Sequence, residues 1–373
     1  MRVMIVVTHL LGTGHLSRAL TLAHAFGDSG HQVTVVSGGR RVPHLDITGV
    51  NFVQLPSLAS DGTNFSRLLT ADGVPADTTF MTDRQSALVE AFRSVDPHVL
   101  ITELFPFGRR NLRNEIIALL NATPNTCRVF ASVRDILAPP SSPQKVEFAE
   151  DVITEFYDGV LLHADPNVIT LNKSWPVTDK LAGKLHYTGF VAPAPRPMTV
   201  QRDGPVVVSV GGGTVGAEIF EAALDAARKL TELKWLFVVG DDALRQDLDA
   251  RAPQNVVVEG LRQDFRELLT TARASVSMCG YNTALDVLQS GVPAVLVPFD
   301  DGGEVEQTLR ANALKHLPAI HVITKNDLRP ATLGQALTDV LQETRAPQTD
   351  GMDGAKTSVH LVTELTGAER VSG

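Results

Sequence analysis

The stretch Val206–Leu224, VVVSVGGGTVGAEIFEAAL, decides how the chain is read. A β-branched run ends at Val210; Gly211, Gly212, Gly213 and Thr214 make a turn; a helix-forming run opens near Gly216. A short apolar run without alternation suits a parallel strand covered on both faces. Glycines admit positive φ and let an anion reach backbone N–H groups, and a helix N-terminus adds partial positive charge. No lysine follows in the GxxxxGK[ST] spacing, so this is not a P-loop. The turn therefore reads as a candidate phosphate site; the plainer alternative is a turn that only packs helix on strand.

The same rhythm extends both ways. Downstream, strands are expected at Trp235–Val239, Asn255–Val258, Ala274–Met278 and Ala294–Val297, with helices at Ala217–Leu230, Phe265–Ala272, Asn282–Ser290 and Val305–Leu314. Upstream, GFVAPAPRPMTVQRDGP (Gly189–Pro205) has four prolines and no periodicity, and reads as a linker. Before it, strands are expected at Val3–Thr8, Gln32–Ser37, Asn51–Leu55, His98–Thr102, Arg128–Val133 and Gly159–His163. Helices are expected between them at His15–Phe26, Thr82–Ser94, Asn111–Leu120 and Pro143–Phe156. The expectation is α/β: two Rossmann-like, doubly wound domains facing a cleft. Their bounds are 1–192, a linker at 193–204, and 205–345. A tail at 346–373 carries a last helix, Lys356–Thr366, expected to pack back on the first domain.

At 373 residues, 43% hydrophobic and 20% charged, the chain can bury two cores. A net charge of −9 argues against a nucleic-acid-coating protein. Cys127 and Cys279 give neither a disulfide framework nor metal-ligand spacing and read as buried thiols in a reducing compartment; no metal site is expected. Thr8-His9 interrupts the N-terminal apolar run, no small-residue cleavage site follows, and no stretch approaches the ~20 apolar residues of a membrane span. A cytoplasmic location is expected. The basic loop Phe107–Arg113 suits either peripheral contact with an anionic membrane or a solvated face.

Candidate site residues lie in loops after strands, where open α/β sheets bind ligands. Gly280, Tyr281, Asn282 and Thr283 open a helix whose next acid, Asp286, can accept from ribose hydroxyls; Asn or Thr there also serves as a plain cap. Glu306 and Gln307 open another helix, as dipole partners or as acceptors for sugar hydroxyls. In VTHLLGTGHLSR (Val7–Arg18), Gly12, Thr13 and Gly14 form a second glycine turn, and His15 stands where the dipole favours a neutral imidazole, suited to general-base work or to plain packing. Three more strand-end loops carry Glu103, Arg134-Asp135, and His163 with Asp165. A dinucleotide fingerprint needs G-x-G-x-x-G, but Ser17 holds the last position and no acid follows the second strand. Arg40 and Arg41 there keep NADP open as a minority reading.

Together GTGHLSRALTLAHAF, VSVGGGTVGAEIF, CGYNTALDVLQSGVPAVLVPF and EQTLRANAL resemble GT-B-fold nucleotide-sugar glycosyltransferases, specifically the family 28, MurG-type enzymes. HLLGTGH, ELFPFGRR and SVRDIL are similar to a bacterial subgroup of that family. The resemblance implies a donor site in the second domain and an acceptor site in the first. Gly211, Gly212, Gly213 and Thr214 would hold the diphosphate, Leu261 with Arg262 would meet uracil, and Asp286 would meet ribose, one methylene shorter than the family's Glu. Glu306 and Gln307 stand where the family has a Gln-Gln pair touching the sugar. The resemblance lifts His15 to a catalytic candidate beside Asp135, with Gly12, Thr13, Gly14, Glu103 and Arg134 toward the acceptor. The family's His-Glu-Gln-Asn segment is Ser132-Val133-Arg134-Asp135 here, so the acceptor need not be a lipid-linked muropeptide.

The implied activity is inverting, metal-independent transfer of a hexose or N-acetylhexosamine from a UDP-sugar to a hydroxyl acceptor, with no cofactor besides that co-substrate. A UDP-sugar epimerase or hydrolase of the same fold, and a nonenzymatic nucleotide-sugar binder, are the alternatives.

Overall fold

The computed structural model describes residues 1–10, 12–43, 45–61, 64–194, 202–211, 215–300 and 305–367. The chain divides into two compact units, Met1–Pro193 with Asp353–Gly373, and Ala194–Met352.

The first unit holds strands β1 (Arg2–Val7), β2 (Gln32–Ser37), β3 (Asn51–Gln54), β4 (Ala59–Asp61), β5 (Asn64–Leu69), β6 (Val99–Glu103), β7 (Arg128–Arg134), β8 (Gly159–His163) and β9 (Leu185–Tyr187). Its helices are α1 (Gly14–Asp28), α2 (Thr78–Val95), α3 (Arg113–Ala122), α4 (Pro143–Phe156) and α5 (Asp179–Ala182). The main sheet is parallel in the order β3-β2-β1-β6-β7-β8-β9. Strands β4 and β5 form a separate antiparallel ribbon that the strand pattern does not announce.

The second unit holds β10 (Val206–Ser209), β11 (Trp235–Val238), β12 (Val256–Glu259), β13 (Ala274–Ser277), β14 (Ala294–Leu296) and β15 (Ile320–Val322). Its helices are α6 (Ala217–Ala227), α7 (Asp242–Arg251), α8 (Phe265–Thr271), α9 (Tyr281–Ser290), α10 (Glu306–Leu314) and α11 (Pro330–Val340). All six strands are parallel, ordered β12-β11-β10-β13-β14-β15. Both sheets are thus doubly wound.

A last helix, α12 (Gly354–Gly367), belongs to the first unit. Its Ala355, Val359 and Val362 join the core that Leu16, Leu20, Ala23 and Phe26 of α1 build against β1 and β2. Those α1 positions repeat at helical spacing, so one stripe meets both the sheet and α12. Gly354 makes this return possible, because a Cβ there would lie 2.3 Å from the Gly189 carbonyl oxygen. Truncating Phe26, fully buried in that core, removes about 3–5 kcal/mol. Cys127 and Cys279 are both buried and form no disulfide. No helix among the described residues is long and apolar enough to cross a membrane.

Candidate active site

Parallel strands place their following loops along one edge, so residues distant in sequence become neighbours there. Along the first sheet, His15 opens α1 just beyond β1, Glu103 ends β6, Ser132 lies in β7, His163 ends β8 and Thr188 follows β9. Those strands are consecutive in the sheet, and Glu103 stands in register with Ser132.

Their side chains form one bonded row. His15 Nδ1 lies 2.9 Å from Glu103 Oε1. A carboxylate only accepts, so this nitrogen carries the hydrogen and Nε2 keeps the lone pair. Arg18, one turn along α1, also donates to Glu103 Oε1. The other carboxylate oxygen accepts from Ser132 Oγ at 2.6 Å. With the Ser132 proton committed, His163 Nε2 donates to Ser132 Oγ at 2.9 Å, and Thr188 Oγ1 meets His163 Nδ1 at 2.9 Å.

Electrostatics fix the protonation states. Burial would raise the Glu103 carboxyl, but the Arg18 charge and the bonds from His15 and Ser132 prevail and hold it well below the usual carboxylate range. Burial pushes His15 down to about 3, opposed by its bond to Glu103 and reinforced by the charges of Arg109 and Arg134. His163 falls to about 3 by burial and the Arg18 charge. Both imidazoles are therefore neutral at ordinary pH. His15 keeps 14% of its side chain exposed whereas Glu103 keeps 2%, so the imidazole is the member of the pair that solvent reaches.

Loop geometry supports the row. Leu104 and Arg109 both sit at positive φ, 68° and 56°, an unfavourable state for side-chain-bearing residues that accumulates at functional loops. Arg109 Nε donates to the Thr8 carbonyl at 2.8 Å, tying the loop after β6 to the loop after β1. Arg84, fully buried, donates to Glu115, Thr8 Oγ1 and the carbonyls of Gly38 and Pro56, fixing the loops after β1, β2 and β3 together. Gly38 is required there, since a Cβ would fall 1.9 Å from Arg84 Nη2.

The predicted residues separate in role. Gly12 is exposed, and Thr13, the N-cap of α1, makes no side-chain cap, so the first N–H groups of the helix beginning at Gly14 have no capping side chain. Glu103, expected toward the acceptor, is instead buried with both oxygens bonded inside the unit. Asp135 is 1% exposed and accepts from the Ile136 N–H at 2.9 Å. Arg134 is half-buried and close enough to His15 to depress it. Arg18, Ser132 and Thr188 were not expected in the site. The His15/Arg18 spacing of one helical turn is a readable signal; the Glu103–Ser132–His163 row has none in sequence, because strand order creates it.

In the second unit the expected donor residues also follow strand ends. Gly211, with φ of 77°, follows β10; Gly212, Gly213 and Thr214 lie outside the described residues. Gly216 caps α6 at φ 95°, and a Cβ there would stand 2.9 Å from Val210 Cγ1. Leu261 after β12 is an exposed large apolar side chain, 56% accessible. Arg262 is held by Glu259 and by both oxygens of Asp264. Gly280 is the N-cap of α9, Tyr281 is buried, and Asn282 is exposed beside half-buried Thr283.

Asp286 accepts from Arg266 Nε at 3.0 Å, and Arg266 also reaches Gln289. Burial lifts the Asp286 carboxyl to about 6 despite that guanidinium. Gln307 Oε1 accepts from the N–H groups of Cys279 and Phe299 at 2.9 and 3.2 Å. Its carbonyl therefore ties β13 to β14, and only its NH2 remains for a ligand. Glu306 is buried, 6% exposed.

Residues 207–364 match the family described as Glycosyltransferase family 28 C-terminal domain. The second unit therefore resembles the C-terminal domain of glycosyltransferase family 28. A Xanthomonas axonopodis pv. citri UDP-N-acetylglucosamine–N-acetylmuramyl-(pentapeptide) pyrophosphoryl-undecaprenol N-acetylglucosamine transferase is 31% identical over 157 residues, 40% of this chain and 37% of that protein. The enzyme of the same name from Gloeothece citriformis is 26% identical over 180 residues, 47% and 46% of the two chains. The chain thus spans less than half the length of these curated relatives. Among solved structures, Acinetobacter baumannii MurG superposes with a TM-score of 0.59 at 17% identity, over 98% of this chain and 100% of that one. The glycosyltransferase VinC in complex with DTDP gives 0.59 at 15%, over 99% and 100%. The family 28 resemblance read from the motifs holds, and the fold class is that of GT-B glycosyltransferases.

Proposed function

We propose that the chain is an inverting, metal-independent glycosyltransferase that uses a UDP-sugar. The observation that carries the proposal is the His15–Glu103 pair. Glu103 accepts the Nδ1 hydrogen and presents His15 Nε2 as a lone pair at the start of α1. In the proposed reaction the acceptor hydroxyl gives its proton to Nε2 while its oxygen attacks the anomeric carbon. The bond from that carbon to the diphosphate breaks, and the nucleoside diphosphate leaves with the electron pair. Glu103 then stabilises the imidazolium. Asp135, buried and bonded to backbone, is the less suitable base.

A base with a pKa of about 3 is poorly matched to neutral pH. Burial is the main cause and the charges of Arg109 and Arg134 add to it, so an anionic substrate placed near those guanidiniums would shift His15 upward. On the donor side, backbone N–H groups from Gly211 onward and the α6 N-terminus would neutralise the departing diphosphate without a divalent ion. Asp286 would meet ribose, and Gln307 would donate its NH2 to the sugar. The relatives' names make N-acetylglucosamine the first sugar to test. The acceptor is a hydroxyl compound met at the cytoplasmic side, free or at a membrane surface.

A thermal-shift panel of UDP, UDP-sugars, GDP-sugars, dTDP-sugars and NADP(H) tests the donor assignment. Ligand at 100-fold its Kd adds about 2.7 kcal/mol, a visible shift. Selective stabilisation by UDP compounds is expected. Stabilisation by NADP(H) alone overturns the reading.

A further inference from the structure

The donor residues lie at the carboxyl ends of β10–β15; a different group of residues collects at the opposite, amino-terminal edge of the same sheet. Arg202 precedes β10, Arg273 immediately precedes β13, and Arg345 follows α11. With Gly291, Pro293 and Glu343 they line a cavity of about 260 Å³. Glu343 is the one carboxylate among the lining residues, and its Oε2 accepts from the Ala319 N–H at 2.5 Å. Three arginines therefore line the cavity, and its one acid is already engaged by backbone.

Helix ends explain part of this arrangement. Arg345 Nη atoms donate to the carbonyls of Val287, Leu288 and Val292 at 3.0, 3.3 and 2.9 Å, closing the C-terminus of α9. Arg202 donates to Leu269, Ala272 and Ser290 carbonyls, closing α8 and α9. Cations at helix C-termini are favourable on these grounds alone. Capping does not account for Arg273, which is exposed and makes no side-chain bond among the described residues. Nor does it account for Arg345 Nε, buried without a hydrogen-bond partner. Burial, and after it the neighbouring Arg202 charge, push Arg345 down to about 10. Gly291, at φ 63°, admits the chain at Arg345, since a Cβ there would lie 2.8 Å from the Arg345 carbonyl oxygen.

We propose that this cavity is a second anion site that binds a phosphate group through Arg273, Arg345 and Arg202. Planar guanidiniums match phosphate oxygens in pairs, and an anion relieves their mutual repulsion. The volume suits a single phosphate or phosphomonoester head, whereas whole drug-sized ligands occupy roughly 300–1,000 Å³. The site is independent of the transferase assignment.

Hydrogen–deuterium exchange of the full chain with and without inorganic phosphate tests it, read in peptides covering 287–293 and 341–346. Phosphate should slow exchange there, and Arg273→Gln, which removes no structural bond, should weaken the effect roughly tenfold, the loss of one charge-assisted hydrogen bond. Peptide-level readout separates this site from any phosphate held by the glycine turn. Co-sedimentation with phosphatidylglycerol vesicles against phosphatidylcholine vesicles identifies the source. Arg273-dependent sedimentation with the anionic vesicles assigns a lipid headgroup, and protection by free phosphate without sedimentation assigns a soluble phosphate compound. No protection in those peptides, or equal protection in Arg273→Gln, overturns the proposal.

Discussion

The strand ends of the two sheets carry opposite kinds of chemistry. In the first unit the loops bring polar side chains together: Arg18, Glu103, Ser132 and His163 are all buried, and each bonds to another member of the row. In the second unit the matching positions offer glycine backbone, exposed Leu261 and Asn282, and a Gln307 whose carbonyl is spent on framework. The first arrangement is bonded within itself; in the proposed reaction the second is completed by the nucleotide. A proton acceptor needs a fixed tautomer and orientation, which only buried partners can impose. A diphosphate needs N–H groups and room, which side chains would obstruct.

Removing one member of the buried row should give the largest effects. His15→Ala is expected to lower kcat for sugar transfer by about 10²–10⁴-fold while leaving nucleotide affinity unchanged. Product assays and a nucleotide titration on the same sample check this. Transfer at the parental rate would remove His15 from the mechanism. Glu103→Gln should be costlier to the fold, since it leaves Arg18 buried and uncompensated, at about 3–5 kcal/mol in urea unfolding. Near-parental stability there would mean that Arg18 finds other compensation.

Next in size is a dependence on pH. His163 is fully buried, with a pKa near 3 against an ordinary 6.5. As pH falls below about 6.5, the unfolded chain binds a proton that the native state excludes, so stability declines toward pH 3. The slope is about 1.4 kcal/mol per pH unit for one such site, and His15 adds to it. Glu103, held low, loses its own contribution only in stronger acid. The difference between urea midpoints at about pH 6.5 and pH 5 should shrink by about half when His163→Gln replaces the parent, because His15 still contributes. An unchanged slope in that variant would show that other groups control acid stability.

Smaller effects should distinguish the second unit. Gly216→Ala forces a left-handed residue to carry a Cβ against Val210, expected to destabilise by about 1–3 kcal/mol and to weaken nucleotide binding. Asp286→Asn should reduce UDP affinity by roughly tenfold with little change in kcat. Leu261→Ser, at an exposed site, should shift stability by less than about 0.5 kcal/mol, so any loss of UDP affinity reports a direct contact. If all three leave nucleotide binding intact, the contrast between the two edges fails and the donor site lies elsewhere.

The local rules fared well wherever one element could be judged alone. Gln32–Ser37, Gly159–His163 and Pro143–Phe156 begin and end as their apolar runs and flanking breakers suggest, and strand and helix alternate through most of both halves, the run from β2 to β5 excepted. Short strands such as Leu185–Tyr187 and Ile320–Val322 escaped notice because three residues carry too little pattern. The β4–β5 ribbon escaped for another reason: its first strand is short and the register shifts at Ser60/Asp61, which breaks the alternation. In the candidate site, the glycine turns, His15, Asp286 and Gln307 were visible as residues at loop positions. Their partners were not, since Arg266 meets Asp286 through packing of α8 on α9.

By itself, then, the amino-acid sequence determined the repeated strand–turn–helix units, the positions of the glycine turns and the family 28 resemblance of the second unit, because each rests on residues close together in the chain. Tertiary structure decided that Glu103 pairs with His15, that Ser132 and His163 complete the row, and that the expected return of the last helix is onto α1. Those outcomes depend on the order in which parallel strands lie side by side. That order follows from how crossover helices bury their apolar faces over the whole sheet, and no short window of sequence encodes it.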